Sequence, residues 1–325
     1  MNEPEGAESI PCCAATIGGT GEGILSQPLP GIPDEEGITV PEGLPTVVDA
    51  HVHLFPPAVF EALWRWFRTH GWPVRYPLPA EEVLSFLQSR GVQRVVGLQY
   101  PHKMGMARGL NDWMARLQHD HAGLHGLASV LPGEPEAATI LNEAFEAGLQ
   151  GVKLHCHVQT FAVDDPKMWP LYEVCGRWNR PLLIHAGREP KSPAYPVDPY
   201  SLCHVARMDR VLSEFPSVRF CVPHLGADEF EGYGELMLRH ENLWLDTTMM
   251  LAGYFPLEVE RAWRLLLIRP DRVLYGSDFP NLPYSWDREL RAIAQRALPK
   301  ANLNRLLWEN AAQLYGISQP TQVNA

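Results

Sequence analysis

A single beat constrains this chain most: a short β-branched apolar run, then an amphipathic stretch, then another run, repeated almost to the C-terminus. The first run is Thr46-Val47-Val48, leading into Asp49-Ala50-His51-Val52-His53. Further runs follow at 94–100, 124–130, 151–155, 181–185, 218–224, 243–246 and 272–278. Short runs rich in Val, Ile and Leu, bounded by Gly and Pro, are buried strands. Between them the spacing predicts helices over 58–70, 80–89, 109–119, 134–147, 169–178, 199–215 and 257–267, with a last helix over 302–314. Strands that alternate with helices pair in parallel through right-handed crossovers. Eight such units fit a (β/α)8 TIM barrel, which typically takes ~250 residues. The runner-up is a doubly wound open sheet. That fold would want a Gly-rich phosphate loop after the first strand, where this chain has His51-Val52-His53-Leu54-Phe55-Pro56-Pro57.

The domain boundaries follow from composition. Residues 1–45 are Gly-, Pro- and acid-rich and contain no Lys or Arg, the first being Arg65. They read as a flexible extension, of which 38–44 is expected to pack on the domain. The barrel is expected over 46–317, with 318–325 as a C-terminal tail. A formal net charge of -11 argues against non-specific binding to nucleic acid or an anionic membrane, which needs basic surface. No apolar run approaches the ~20 residues that span a bilayer. The six cysteines form no C-x-x-C pair, which suits a reducing, cytoplasmic setting. Trp and Leu on the helical faces leave a homodimer open.

Chemistry in a barrel of this type collects where the strands end, and here those ends are loaded. The first ends in His51 and His53, which project from one face because side chains alternate along a strand. The fourth ends in Lys153, His155 and His157, the fifth in His185, the sixth in His224 and the eighth in Asp278. Any one of these alone reads as a satisfied strand cap. Gathered on one rim, they read as a metal site. Other candidates are Arg188, placed to clamp a carboxylate bidentately or simply to lie on the surface, and Tyr100 and His102 at the rim after the second strand. Asp246, at the end of the seventh, reads equally as a support for a ligand histidine or as a direct contact in the site. The aromatic stripe Phe60, Leu63, Trp64 and Phe67 reads as core, with a lid over the site as the alternative.

The pieces Asp49-Ala-His-Val-His53, Gly151-Val-Lys-Leu-His155, Leu183-Ile-His185-Ala-Gly, Val222-Pro-His224-Leu-Gly, Leu274-Tyr-Gly-Ser-Asp278-Phe-Pro and Trp308-Glu-Asn310-Ala-Ala stand in this order along the chain. The ordered set resembles the amidohydrolase superfamily over residues 46–316. The nearer likeness is to the amidohydrolase-related branch, which includes aminocarboxymuconate-semialdehyde decarboxylase and related metal-dependent decarboxylases and hydrolases. The resemblance implies His51, His53, His185 and Asp278 as metal ligands, with His224 and Asp278 as the proton-handling pair. Three nitrogens and a carboxylate suit zinc, with manganese or another divalent ion as alternatives. One ion is expected rather than two. Such an ion brings the pKa of a water to about 7. Lys153 is left with three readings: a carboxylated bridge between two ions, an ammonium that binds a substrate carboxylate, or a salt-bridge partner. His155 and His157 are expected on the substrate side. The implied activity is hydrolysis of a small, carboxylated molecule by activated water. Non-oxidative decarboxylation on the same constellation is the alternative, and a non-catalytic barrel used as a binding or scaffold protein the third reading.

Overall fold

A computed structural model describes residues 33–318. Among them the chain runs β1 (Val47–His53), α1 (Pro57–His70), α2 (Ala80–Ser89), β2 (Val92–Leu98), α3 (Ala107–Asp120), β3 (Leu124–Gly126), α4 (Ala137–Glu146) and β4 (Val152–His155). It continues through a short α5 (Cys156–Gln159), α6 (Trp169–Trp178), β5 (Leu182–His185), α7 (Pro199–Leu202), α8 (Val205–Glu214), β6 (Phe220–Val222), α9 (Phe230–Arg239) and β7 (Leu243–Asp246). Last come α10 (Val259–Ile268), β8 (Val273–Leu274), α11 (Arg288–Gln295), α12 (Lys300–Asn304) and α13 (Asn310–Tyr315).

Each strand pairs in parallel with the next, in two arcs, β1-β2-β3 and β4-β5-β6-β7-β8. Parallel bridges Ala128↔Val152 and Val52↔Phe279 join the arcs at both seams. The Lys153 N–H reaches the Ala128 carbonyl at 2.8 Å, and the Ala50 N–H reaches that of Tyr275 at 3.0 Å. The result is a closed (β/α)8 barrel with no free sheet edge.

Side-chain alternation divides the strands. Val152, Leu154, Leu182, Ile184, Phe220 and Leu245 pack outward against the helices. Leu183, Cys221, Trp244 and Leu274 pack inward, together with Trp308, Ala311, Leu314 and Tyr315, which plug the N-terminal end of the barrel. Asn310 fixes the plug: its Nδ2 donates to the carbonyls of Pro270 (2.8 Å) and Val273 (2.6 Å).

The departures from the sequence reading have local causes. Strand 218–224 stops at Val222 because His224 and Leu225 take φ of 56° and 52°, outside the range a ladder allows. The helix expected over 199–215 breaks in two where His204, extended at φ −151°, accepts the Ala206 N–H through Nδ1 and starts α8 afresh. α9 was not anticipated. Gly232 and Gly234 lower its helical propensity, yet Gly234 sits where a Cβ would come within 2.9 Å of Ile268 Cδ1, so it serves close packing on α10.

Of the expected N-terminal extension, 1–32 lies outside the described residues. The part that is described is seated on the domain. Asp34 pairs with Arg288 at 2.9 Å, the Gly37 N–H reaches Asp287 Oδ2 at 2.9 Å, and the Val40 N–H reaches the Arg90 carbonyl at 2.7 Å. Residues 319–325 of the expected tail also lie outside. No helix among the described residues is long and apolar enough to cross a membrane.

Candidate metal centre

The two histidines of β1 reach the barrel mouth through an irregularity. Val48 and Ala50 point inward at the plugged end, so strict alternation would turn His51 and His53 outward. The register against β2 shifts between Asp49 and Val52. Such a shift re-aims every side chain after it. Val52 and Leu54 then pack outward, and His51 and His53 face the mouth. Asp49 braces the turn, with Oδ1 accepting the N–H of His51 (3.2 Å) and of Ser277 (3.0 Å). Asp278 lies four residues past β8, held by its own N–H to the His51 carbonyl at 2.9 Å. Its φ of 76° is a strained setting for a residue other than glycine, and such settings cluster at functional sites. Gly276 permits the approach, since a Cβ there would stand 2.6 Å from His51 Cβ.

Donor atoms of His51, His53 and Asp278 lie within 4.8 Å of one another. Asp278 Oδ1 is 3.2 Å from His51 Nε2 and 3.0 Å from His53 Nε2. His51 Nδ1 meets Asp246 Oδ2 at 2.9 Å, so Asp246 orients the ring and leaves Nε2 facing Asp278, the usual support for a ligand imidazole. His224 Nδ1 donates to the Thr248 carbonyl at 2.9 Å, which likewise leaves its Nε2 toward the cavity. The rings continue as an array: His51 to His224 at 5.8 Å, His224 to His185 at 4.6 Å, and His185 stacked on His155 at 4.2 Å. His185 Nε2 is buried with no hydrogen-bond partner, a costly state for a polar atom unless something else binds it.

The charge states suit a cation. Burial pulls His53 and His224 down to about 4 and holds His185 and His155 well below the ordinary imidazole range. All four are therefore neutral near pH 7, with lone pairs available. Burial opposes the ionised form of Asp278, but His53 and His51 outweigh it and keep the carboxyl well below its usual range. Lys153 is buried beneath the site with Nζ 3.4 Å from His51 Nε2, and burial lowers it to about 8 against the pull of Asp246 and Asp278. Neutral nitrogens, an ionised carboxylate and an orphaned Nε2 make a donor set that fits a divalent ion.

A cavity of about 360 Å³ opens above these groups. His53, His155, His185, His224 and Asp278 form its floor. One face of α1 forms a wall through Leu63, Trp66 and Phe67, so the aromatic stripe is both core and cover. The loop after β5 closes the other side with Lys191, Ser192 and Tyr195. The two sides touch: Tyr195 stacks on Trp66 at 5.7 Å, and Ser192 Oγ donates to the His70 carbonyl at 2.8 Å. Tyr100 and His102 also line the cavity.

Two expectations change on this geometry. Arg188 does not line the cavity. Its guanidinium is paired with Asp228 at 2.8 Å and Glu229 at 3.5 Å, so it is not placed to clamp a substrate carboxylate. His157 also lies off the cavity, with its Nε2 donating to the Gly187 carbonyl at 2.8 Å and its ring 4.5 Å from that of His185; it braces the floor from behind. The sequence reading missed Trp66, Lys191, Ser192 and Tyr195. The signal available was the Pro-rich stretch at 190–199, too long and too irregular for a plain connection.

A family model described as Amidohydrolase matches residues 48–317. The chain belongs to the amidohydrolase family. Solved structures repeat the architecture. An uncharacterized TIM-barrel protein from Bordetella bronchiseptica superposes with TM-score 0.66 at 20% identity, covering 84% of this chain and 99% of that one. A 5-carboxyvanillate decarboxylase from Novosphingobium aromaticivorans, complexed with manganese and 4-hydroxy-3-methoxy-5-nitrobenzoic acid, gives 0.60 at 16% over 86% and 99%. A probable 2-pyrone-4,6-dicarboxylic acid hydrolase from Acinetobacter baumannii, with citric acid bound, gives 0.59 at 15% over 84% and 100%. No curated protein matches the chain.

Proposed function

We propose that this amidohydrolase holds a divalent ion through His51, His53, His185 and Asp278, and hydrolyses a small carboxylated molecule. The observation that carries the reading is the convergence of two imidazole nitrogens on one Asp278 oxygen, beside the orphaned Nε2 of His185. The donor set suits zinc, and manganese is supported by the decarboxylase solved with that ion. When bound, the ion supplies Lewis acidity to a substrate oxygen and to water. The remaining work falls to side chains. Asp278, ionised and facing the cavity, accepts the proton that the attacking water gives up. His224 is neutral and its Nδ1 proton is committed to the Thr248 carbonyl, so its Nε2 offers a lone pair that takes a proton from the substrate or water. Asp246 keeps His51 in the tautomer that leaves Nε2 free. Lys153 stays beneath the floor as the charge that balances Asp246 and Asp278.

A second reading is non-oxidative decarboxylation at the same floor. It is favoured by the cavity wall, where Trp66, Phe67 and Tyr195 form an apolar side that lowers the polarity around a developing carbanion. Two measurements test the pair of readings. Metal content of the purified chain, by elemental analysis, is expected to be stoichiometric; absence of a divalent ion would sink both. Turnover in ¹⁸O-labelled water is expected to place label in the product for hydrolysis, and to release carbon dioxide without label transfer to the organic product for decarboxylation.

A further inference from the structure

The proposed roles at the floor of the cavity handle the reacting end of a substrate and leave its other end unread. Among the described residues that line the cavity, Lys191 alone carries a permanent positive charge. It sits at the rim, on the loop after β5, six residues past His185. Its backbone is fixed. The Lys191 N–H is bound by Glu189 Oε2 at 2.9 Å, and the next residue, Ser192, is tied to α1 through the His70 carbonyl. Its ammonium is not fixed in the same way. It rests 4.1 Å over the Tyr200 ring, and its carboxylate partner is Asp198 at 3.4 Å. The Asp198 side chain is 63% exposed, against 22% for that of Lys191. A pair so long and so wet contributes little, and its anion is readily exchanged. Arg188, three residues earlier, lies over the same ring at 4.6 Å but differs in its partner, since Asp228 is at 2.8 Å and largely covered.

We propose that Lys191 is the specificity-determining residue for a second anionic group, its ammonium leaving the exposed Asp198 at the rim to meet that group in the complex. The substrates selected are flat dianions, one acid at the floor and one at the rim, with an unsaturated body against Trp66 and Tyr195. The inference rests on the proposed function, in which a carboxylated molecule reacts at the floor, and adds to it that one acid sits there. The overall charge of the chain adds a reason. At -11 the protein repels a dianion at long range, and screening over ~8 Å at physiological salt leaves a local cation to offset that within the pocket.

The test is calorimetric titration of the Zn²⁺-loaded full chain with benzoate and with isophthalate, which share a ring and differ by one carboxylate. Wild type is expected to bind isophthalate more tightly. Lys191→Met is expected to weaken isophthalate about tenfold, the scale of one charge-assisted bond, and to leave benzoate unchanged. Asp198→Asn retains an acceptor for the Tyr200 N–H that Asp198 caps. It removes the competing charge, so it is expected to tighten isophthalate severalfold. Equal binding of the two probes by wild type, or an unchanged preference in Lys191→Met, overturns the assignment. If benzoate fails to bind while isophthalate still depends on Lys191, the assignment stands and the reading of the floor fails.

Discussion

The two ends of the barrel interior come from the same strands and differ by one alternation step. On β5, Leu183 points into the sealed end and His185 into the open one; on β7, Trp244 and Asp246 divide in the same way. The sealed end is apolar and closed by α13. The open end holds imidazoles, a lysine and two carboxylates, several with no partner in the fold. Buried atoms without partners are unfavourable, so the open end adds less to stability than the closed one, despite contacts such as Asp246 to His51. Stability and chemistry therefore sit in separate layers, and substitutions should separate them.

The largest effect is expected at His185. His185→Ala should lose both bound metal and turnover while keeping the fold, checked by elemental analysis beside circular dichroism; full metal occupancy in that variant would break the comparison. Next is Asp246→Asn, which removes the negative charge and leaves one acceptor oxygen for two donors, the His51 ring and the His224 N–H. Metal affinity should fall ~10–100-fold, read by competition with a chelator.

The sealed end should respond in the opposite sense. Leu314 is fully buried in the plug, and Leu314→Ala should cost ~2–5 kcal/mol in urea unfolding with kcat unchanged. A matching loss of kcat would show the layers to be coupled.

The pH dependence sharpens the same contrast. His53 and His224 sit at about 4 in the folded chain, against ~6.5 when unfolded. Between those values the unfolded chain holds more protons, so stability is fully present above about 6.5 and is lost as pH falls toward 4. Metal-free protein should show Tm falling through that window by calorimetry. His224→Gln should flatten the slope, and Leu314→Ala should lower the whole curve without flattening it. Smallest is Ser192→Ala, which removes one bond between the β5 loop and α1. It should cost ~0.5–1.5 kcal/mol and show as a modest rise in KM with no change in kcat.

Much of this was legible in the residues. Short apolar runs between amphipathic stretches specify parallel strands and their crossovers, because alternation and helical period are local properties of a chain. The positions of His51, His53, His185, His224 and Asp278 at strand ends were legible for the same reason, and their order carried the family likeness. The sequence alone placed Asp246 at the site but left support and direct contact equal; its bond to His51 Nδ1 is tertiary.

Tertiary structure decided the rest. The register shift after Asp49 depends on how β1 meets β2, so no local pattern shows that His51 and His53 turn inward while Val48 and Ala50 already do. Arg188 and Lys191 are indistinguishable as basic residues on one loop. Asp228 and Glu229, from a different part of the chain, occupy the first and leave the second at the rim. The cover formed by Trp66 and Tyr195 joins residues remote in sequence. Local propensity dictates which elements form, but which charge is already paired and which face a side chain meets are fixed only when distant segments come into contact.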